Sequence, residues 1–150
     1  MKVFRISKCN YIDDLSGTGA ALYGGRWNSK GIYILYTAAT ASLALLETIV
    51  HTSTIPKEGF CLLELDIPEN KILEVNEKQL PSNWKSFPSP SSLKKIGDAF
   101  IKKGEFLVLQ LPSVIVNEEF NYLLNPEHPD FKKIIINKKK KISLDERLKH

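Results

Sequence analysis

The sequence predicts a single-domain α+β fold in which a mixed or largely antiparallel sheet is flanked by helices. Predicted strands outnumber predicted helices, and the two kinds of element do not alternate regularly, as they would in a parallel α/β fold. The chain has 150 residues, of which 43% are hydrophobic. It is therefore long enough to bury a core as one domain spanning residues 1–150.

The N-terminal half is predicted to contain three strands, a loop and a helix. Residues 2–6 alternate apolar and charged side chains, as a half-buried strand does. Residues 13–31 carry five glycines and are predicted to form a long loop. Residues 32–36 and 60–67 are rich in apolar, β-branched and aromatic side chains, which predicts strands. Between these strands, apolar residues recur at helical spacing and predict a helix over 39–51.

The C-terminal half is predicted to combine one helix with several short strands. Three prolines within residues 76–90 predict a connecting loop. The helix after it begins at Ser91 or Ser92 and ends near Lys103, although Gly97 weakens this prediction. The remaining predictions are strands at 71–75, 106–111, 114–116 and 132–137, and a loop at 117–131.

The positive charge of the chain is concentrated near its C-terminus. The formal net charge is +4, and Lys138–Lys141 form a run of four lysines shortly after Lys132 and Lys133. Such a run is typical of a solvated tail, and it is also compatible with an arm that binds nucleic acid. Elsewhere the basic residues are interleaved with acidic ones, so a broad nucleic-acid-binding surface is not predicted.

The cysteines and the hydropathy pattern predict a protein of the cytoplasm. Cys9 and Cys61 are far apart in sequence, so a disulfide is not expected and a reducing compartment is the simpler setting. The N-terminus becomes polar too early for a secretory signal, and no apolar run is long enough to cross a bilayer. We therefore expect no contact with a membrane.

Several motifs of nucleotide-binding and metal enzymes are missing. The segment Gly17-Thr-Gly19 lacks the third glycine of a dinucleotide-binding fingerprint, and no P-loop motif occurs. The histidines are scattered, and neither cysteine has a close partner in sequence. No metal site is therefore predicted.

One loop–strand–helix segment brings together residues that suit a small polar ligand. Arg26, Trp27, Tyr36 and Glu47 supply a cation, two aromatic faces and an anion within a short stretch. Glu47 lies beside an apolar helix stripe, where a carboxylate is poorly placed unless it has a function. Gly25 lets a ligand approach the backbone next to Arg26, whose planar guanidinium suits phosphate.

Each of these residues also has a purely structural interpretation. Glu47 can be a border residue that reaches water, Tyr36 can be a core aromatic residue, and Trp27 can pack under the loop. Arg5 alternates with apolar neighbours, so it points either to solvent or into a polar cleft. Ser113 follows Pro112 and is by default a turn residue.

Taken together, the motifs of this chain resemble the RES-domain family, which is named after its Arg, Glu and Ser residues. The resemblance runs from Phe4 to about Phe131. The matching segments, in chain order, are Gly24-Gly25-Arg26-Trp27-Asn28, Gly31, Tyr36-Thr37-Ala38, Ala44-x-x-Glu47, Leu111-Pro112-Ser113 and Asn121-Tyr122-Leu123-Leu124-Asn125-Pro126.

The resemblance implies a compact fold like that of the ADP-ribosyltransferases, with small mixed or antiparallel sheets. It implies a bacterial toxin that cleaves NAD at the nicotinamide–ribose bond, by hydrolysis or with inorganic phosphate as co-substrate, and no other cofactor. By matching position, Glu47, Arg26 and Tyr36 would be catalytic. The substrate-binding residues would be Arg5, Ser113, Gly25 and Trp27.

The resemblance also implies a partner. Members of the family are usually neutralised by a helix-turn-helix antitoxin of the Xre type, so we expect a hetero-oligomer that contacts DNA only through that antitoxin. Some members instead ADP-ribosylate a protein. Many such transferases carry an acidic residue two positions before the catalytic glutamate, where this chain has Leu45. A non-catalytic basic domain that binds nucleic acid is the third interpretation.

The chemistry of NAD cleavage matches a site with a single carboxylate. Nicotinamide leaves the ribose as a neutral molecule, so no general acid is needed, whereas ordinary glycosidases use two carboxylates because their leaving oxygen must be protonated. Positive charge develops on the ribose in the transition state, and a fixed anion stabilises it. Glu47 is the predicted anion.

Overall fold

The computed structural model describes residues 1–148, which are built around one seven-stranded mixed sheet. Residues 149 and 150, the end of the predicted basic tail, lie outside the described residues. The strands are β1 (Lys2–Lys8), β2 (Leu35–Ala38), β3 (Phe60–Asp66), β4 (Ile72–Glu74), β5 (Val108–Pro112), β6 (Phe120–Leu124) and β7 (Ile135–Ile142). The α-helices are α1 (Thr18–Tyr23), α2 (Ala41–Val50) and α3 (Ser92–Lys103).

The sheet has the order β4-β5-β6-β2-β1-β3-β7 and is antiparallel except between β4 and β5. β1 pairs with β3 along its whole length, but with β2 at a single position, Phe4 opposite Ala38. The predicted α+β class with a mixed sheet is therefore confirmed. The small sheets expected from the resemblance are two parts of one sheet, joined at this narrow point.

The two faces of the sheet bury different residues. On one face, α2 packs through Leu43 and Ala44 near Phe4 and Ile6 of β1. α3 covers the same face through Leu93 and Phe100, which pack with Leu109, Leu111 and Leu123. The opposite face buries Val3, Leu35, Leu63, Leu65 and Leu124. Because side chains alternate along a strand, this alternation decides which functional residues can meet.

Three predicted elements have a different structure, and the predicted strands at 32–36 and 132–137 are displaced toward the C-terminus, to Leu35–Ala38 and Ile135–Ile142. The predicted glycine-rich loop contains α1, and the predicted loop 117–131 contains β6. The predicted strand at 114–116 is a turn, because the Ser113 hydroxyl accepts hydrogen bonds from the backbone N–H groups of Ile115 and Val116. A side chain that bonds its own neighbouring backbone in this way competes with strand pairing.

The lysine run is part of a strand and does not form a tail. Lys138–Lys141 lie in β7 and pair with β3 from Glu64 to Cys61. β7 is at the edge of the sheet, and its lysine side chains are exposed. Backbone pairing leaves these side chains free to stay in water, and lysines on an edge strand discourage unwanted strand pairing.

The prediction that the cysteines are unpaired was also wrong. Cys9 and Cys61 form a disulfide. Their separation of 52 residues hides the reason, which is the antiparallel register of β1 and β3. That register places Ser7 opposite Cys61, so the residue after the end of β1 lies close to it. The cysteine content therefore no longer supports a reducing compartment.

Within residues 1–148, no helix is both long enough and apolar enough to cross a membrane.

Candidate active site

Helix α2 brings Glu47 to the face of the sheet that α3 also covers. Thr40 caps the helix, since its hydroxyl accepts a hydrogen bond from the Leu43 N–H at 3.0 Å. Leu43 and Ala44 are buried against the sheet, and Glu47 follows one turn later in a half-buried position. The apolar stripe is shorter than predicted, because Leu46 and Val50 are 37% and 59% exposed. Glu47 therefore stands at the border between core and solvent.

The Glu47 carboxylate contacts Ser113. The Ser113 hydroxyl lies 3.2 Å from Oε1 of Glu47, to which it donates. Burial raises the pKa of Glu47, and the hydrogen bond from Ser113 is the largest of the opposing effects, followed by His51, Asn121 and Arg26. Glu47 and Ser113, which are 66 residues apart in sequence, are thus brought together by the fold.

Ser113 is held rigidly beneath Glu47. The residue is 0% exposed, and its hydroxyl also accepts the two backbone hydrogen bonds at 3.1 Å that form the turn after β5. One oxygen atom therefore sets both the path of the loop and the position of the carboxylate. With all of these partners in place, Ser113 reaches a ligand only through Glu47.

Arg26 lies in the loop that follows α1. Its Nη1 donates to the carbonyl oxygens of Trp84 at 2.8 Å and Ser86 at 3.3 Å. Burial lowers the pKa of Arg26, whereas the charge of Glu47 opposes that shift. The charge of Glu47 thus acts on Arg26, yet no ion pair joins the two side chains within residues 1–148.

Tyr36 holds the Arg26 loop through its hydroxyl. This group donates to Oδ1 of Asn28 at 2.6 Å and accepts from the Trp27 N–H at 3.2 Å. Burial raises the pKa of Tyr36 well above its usual range, so the hydroxyl stays protonated. Gly25 is required beside it, because a Cβ there would lie 2.6 Å from the Tyr36 hydroxyl oxygen.

Asn28 shapes the Arg26 loop, although no role was predicted for it. Its side chain is fully buried, and Nδ2 donates to the carbonyl oxygens of Ala20, Ser29 and Ile32. Together with the bond from Tyr36, these contacts use its whole amide and fix the shape of the loop. The signal available in the sequence was its place in the Gly-Gly-Arg-Trp-Asn motif.

The Trp27 ring and the Arg5 side chain have partners outside this group. Trp27 is 4% exposed and packs against Trp84 with ring centroids 6.4 Å apart, so little of its surface remains for a ligand. Arg5 lies on the sheet face opposite to Phe4 and Ile6, and therefore opposite to α2. Its Nη1 donates to the carbonyl oxygens of Tyr11 and Ile12 at 3.2 and 2.8 Å.

A surface groove of about 560 Å³ lies elsewhere on the molecule. Its lining includes Asp13, Asp14 and Glu127. Three carboxylates repel the phosphates of a dinucleotide, so we place the candidate site at Glu47 and Arg26 and not in this groove. Within residues 1–148, no group of three His, Cys, Asp or Glu side chains is placed to hold a metal ion.

The chain is similar to known proteins in sequence and in fold. The RES domain model matches residues 2–145. A protein named Toxin Res from Photorhabdus laumondii is 41% identical over 138 residues, which is 90% of this chain and 88% of the relative. A protein named Toxin Res from Yersinia enterocolitica is 38% identical and covers 87% of this chain and 88% of the relative.

Two further similarities concern activity and fold. A protein named Prs ADP-ribosylating toxin from a Sphingobium strain is 38% identical over 91% of this chain and 87% of its own length. The crystal structure of the M. tuberculosis MbcT–MbcA toxin–antitoxin complex contains a chain with the same fold, at a TM-score of 0.77 and 18% identity, covering 95% of this chain and 84% of that one. The extent of the domain match and the identity to these relatives show that this chain belongs to the RES-domain family.

Proposed function

We propose that this chain is the toxin of a toxin–antitoxin pair and that it cleaves NAD at the nicotinamide–ribose bond. The observation that carries the proposal is a half-buried carboxylate, Glu47, whose charge acts on the Arg26 guanidinium without forming an ion pair with it in the described part of the chain. Glu47 is held by the Ser113 hydroxyl, and Arg26 is held by backbone carbonyl groups. The relatives named Toxin Res support the biological role.

Glu47 would stabilise the ribose as the bond breaks. The electron pair of the C1′–N bond leaves with nicotinamide, which becomes neutral, and positive charge appears on the ribose ring. A carboxylate next to C1′ stabilises that charge, and the bond from Ser113 keeps the carboxylate in place. Water, or a phosphate oxygen, then attacks C1′. When water attacks, its proton passes to Glu47 or to solvent.

Arg26 would bind the diphosphate of NAD or an attacking phosphate. Only Nη1 of its guanidinium has hydrogen-bond partners within residues 1–148. The remaining N–H groups present the planar edge that binds phosphate oxygens in a bidentate manner. The two carbonyl contacts orient this edge in advance, which reduces the entropy lost on binding.

Transfer of ADP-ribose to a protein is the second candidate function. The relative named Prs ADP-ribosylating toxin favours it, because that protein matches over most of both chains. The same Glu47 and Arg26 would serve, with a protein nucleophile in place of water or phosphate. Leu45 lies at the position where many transferases carry an acidic residue, and this favours cleavage.

We further propose a cognate antitoxin as the physiological partner. The structural neighbour with the same fold comes from a toxin–antitoxin complex. For this chain we expect a helix-turn-helix antitoxin of the Xre type, a hetero-oligomeric complex in the cytoplasm, and DNA contact only through the antitoxin. NAD would be the substrate, and inorganic phosphate the candidate co-substrate, with no resident cofactor.

The proposal is tested by measuring nicotinamide release from NAD by the purified chain, with and without phosphate. We expect release that Glu47→Gln reduces at least about a thousandfold, because the variant removes the charge that stabilises the transition state. Glu118→Gln is the matched control, since Glu118 is exposed. Formation of ADP-ribose 1″-phosphate would indicate phosphorolysis. No release under either condition would refute NAD cleavage, and labelling of a cellular protein by NAD would then favour transfer.

A further inference from the structure

We infer that helix α3 positions Arg26, and that Lys94 and Asp98 are positioning residues for the NAD site. The inference rests on the proposed function, because it assigns Arg26 to the phosphates of NAD. The contacting residues of α3 lie 66–69 positions after those of the Arg26 loop, and their side chains form hydrogen bonds with the backbone of that loop. Neither side chain has a role in the sequence motifs described above.

Lys94 binds the loop on both sides of Arg26. Its Nζ donates to the carbonyl oxygen of Gly25 at 2.6 Å and to that of Asn28 at 3.3 Å. Gly25 immediately precedes Arg26, and Asn28 follows it by two positions. A single ammonium group thus ties together the two ends of the segment that carries the cation of the site.

Asp98 binds the next residue of the same loop. Its Oδ1 accepts from the Ser29 N–H at 2.9 Å, and its Oδ2 accepts from the Ser29 hydroxyl at 2.6 Å. Lys94 and Asp98 are four residues apart and therefore lie on one face of α3. The Lys94 ammonium donates to carbonyl oxygens, and the Asp98 carboxylate accepts from an N–H and an O–H group, so each charge meets partners of complementary polarity.

Gly97 completes this face of the helix. A Cβ at Gly97 would overlap the carbonyl oxygen of Trp27, so only glycine lets α3 approach the loop backbone this closely. A helical glycine costs about 1 kcal/mol relative to alanine. The cost is explained by contact with the loop, because Gly97 lies on the same face as Lys94 and Asp98.

These contacts act on Arg26 and not on Glu47. The Arg26 side chain itself is held by the carbonyl oxygens of Trp84 and Ser86, in the segment that leads into α3. Glu47 is held by α2 and Ser113, which the α3 contacts do not touch. Removing the hydrogen bonds between α3 and the loop should therefore weaken NAD binding and leave the rate of the chemical step at C1′ largely unchanged.

The test compares Lys94→Met with Lys95→Met, its neighbour on the exposed face of the same helix. Nicotinamide release is measured over a range of NAD concentrations. We expect Lys94→Met to raise KM about tenfold with kcat within about twofold of the wild-type value, as loss of a charge-assisted hydrogen bond predicts. Lys94→Arg should restore most of the affinity, and Lys95→Met should change neither constant.

A second measurement keeps the inference independent of turnover. Amide hydrogen exchange of residues 24–29 should be faster in Lys94→Met than in Lys95→Met. Unchanged exchange would overturn the inference whatever the activity, and so would unchanged KM in a variant whose loop exchanges faster. A fall in kcat at constant KM would also overturn it. Wild-type protein that releases no nicotinamide would refute the proposed function, while the exchange data would still decide whether α3 holds the loop.

Discussion

Removing the Ser113 hydroxyl should disturb stability and catalysis in distinguishable ways. In Ser113→Ala, Glu47 loses its hydrogen-bond donor, and the N–H groups of Ile115 and Val116 lose their acceptor. A buried N–H without a partner costs about 1–3 kcal/mol. Because Ile115 and Val116 are only half-buried, water can partly replace the oxygen. We therefore expect the free energy of unfolding to fall by about 1 kcal/mol for each N–H group, which is about 2 kcal/mol for the two together.

That loss of stability corresponds to a Tm about 4–8 °C lower for a chain of this size.

The effect of Ser113→Ala on catalysis is a change in the pH dependence of kcat/KM. The bond from Ser113 lowers the pKa of Glu47, which burial raises. Without this bond the pKa of Glu47 should be higher still. Since the ionised form is the active one, the acidic limb of the kcat/KM profile should move to higher pH.

The assay is nicotinamide release across the pH range together with thermal unfolding. Ser42→Ala is the matched control, because Ser42 is an exposed serine on α2, the helix that carries Glu47. It should leave both the Tm and the pH profile close to those of the wild type. An acidic limb that stays in place, or moves to lower pH, in a folded Ser113→Ala variant would refute the proposed link between Ser113 and Glu47.

Two further predictions concern stability. Burial raises the pKa of Glu47, so the folded state binds a proton more tightly than the unfolded state, and stability falls as pH rises from the unfolded to the folded pKa of this group. Glu47→Gln should therefore raise the Tm by about 1–3 °C near pH 7, with the gain disappearing at acidic pH; a lower Tm near pH 7 would contradict this. Reduction of the Cys9–Cys61 disulfide frees a loop of 52 residues and should cost up to about 4 kcal/mol, measured as unfolding with and without dithiothreitol. An identical Tm under both conditions would show that the two thiols are not joined in solution.

The local elements that were predicted well carry their signal within a few residues. The apolar repeat of α2 and the serine-led start of α3 define their helices to within about two residues at most boundaries. The same is true of β3, a run of apolar residues closed by Pro68. The motif around Arg26 and the position of Glu47 on α2 are equally local. For that reason the sequence also identified the residues that form the centre of the candidate site.

The tertiary structure decided which of these residues meet. β6 was missed because it lies within a stretch rich in Asn and Pro, residues 117–131, and because its strand is defined by pairing with β5 and β2 on its two edges. The disulfide depends on the register of β1 with β3. Arg5 is separated from Glu47 because it lies on the face of β1 opposite to the one against which α2 packs. The hydrogen bonds between α3 and the Arg26 loop join residues up to 69 positions apart. Side-chain periodicity and propensity report on a few neighbouring residues. These contacts join residues that are distant in sequence, and they form only when the sheet and the elements packed on it are assembled.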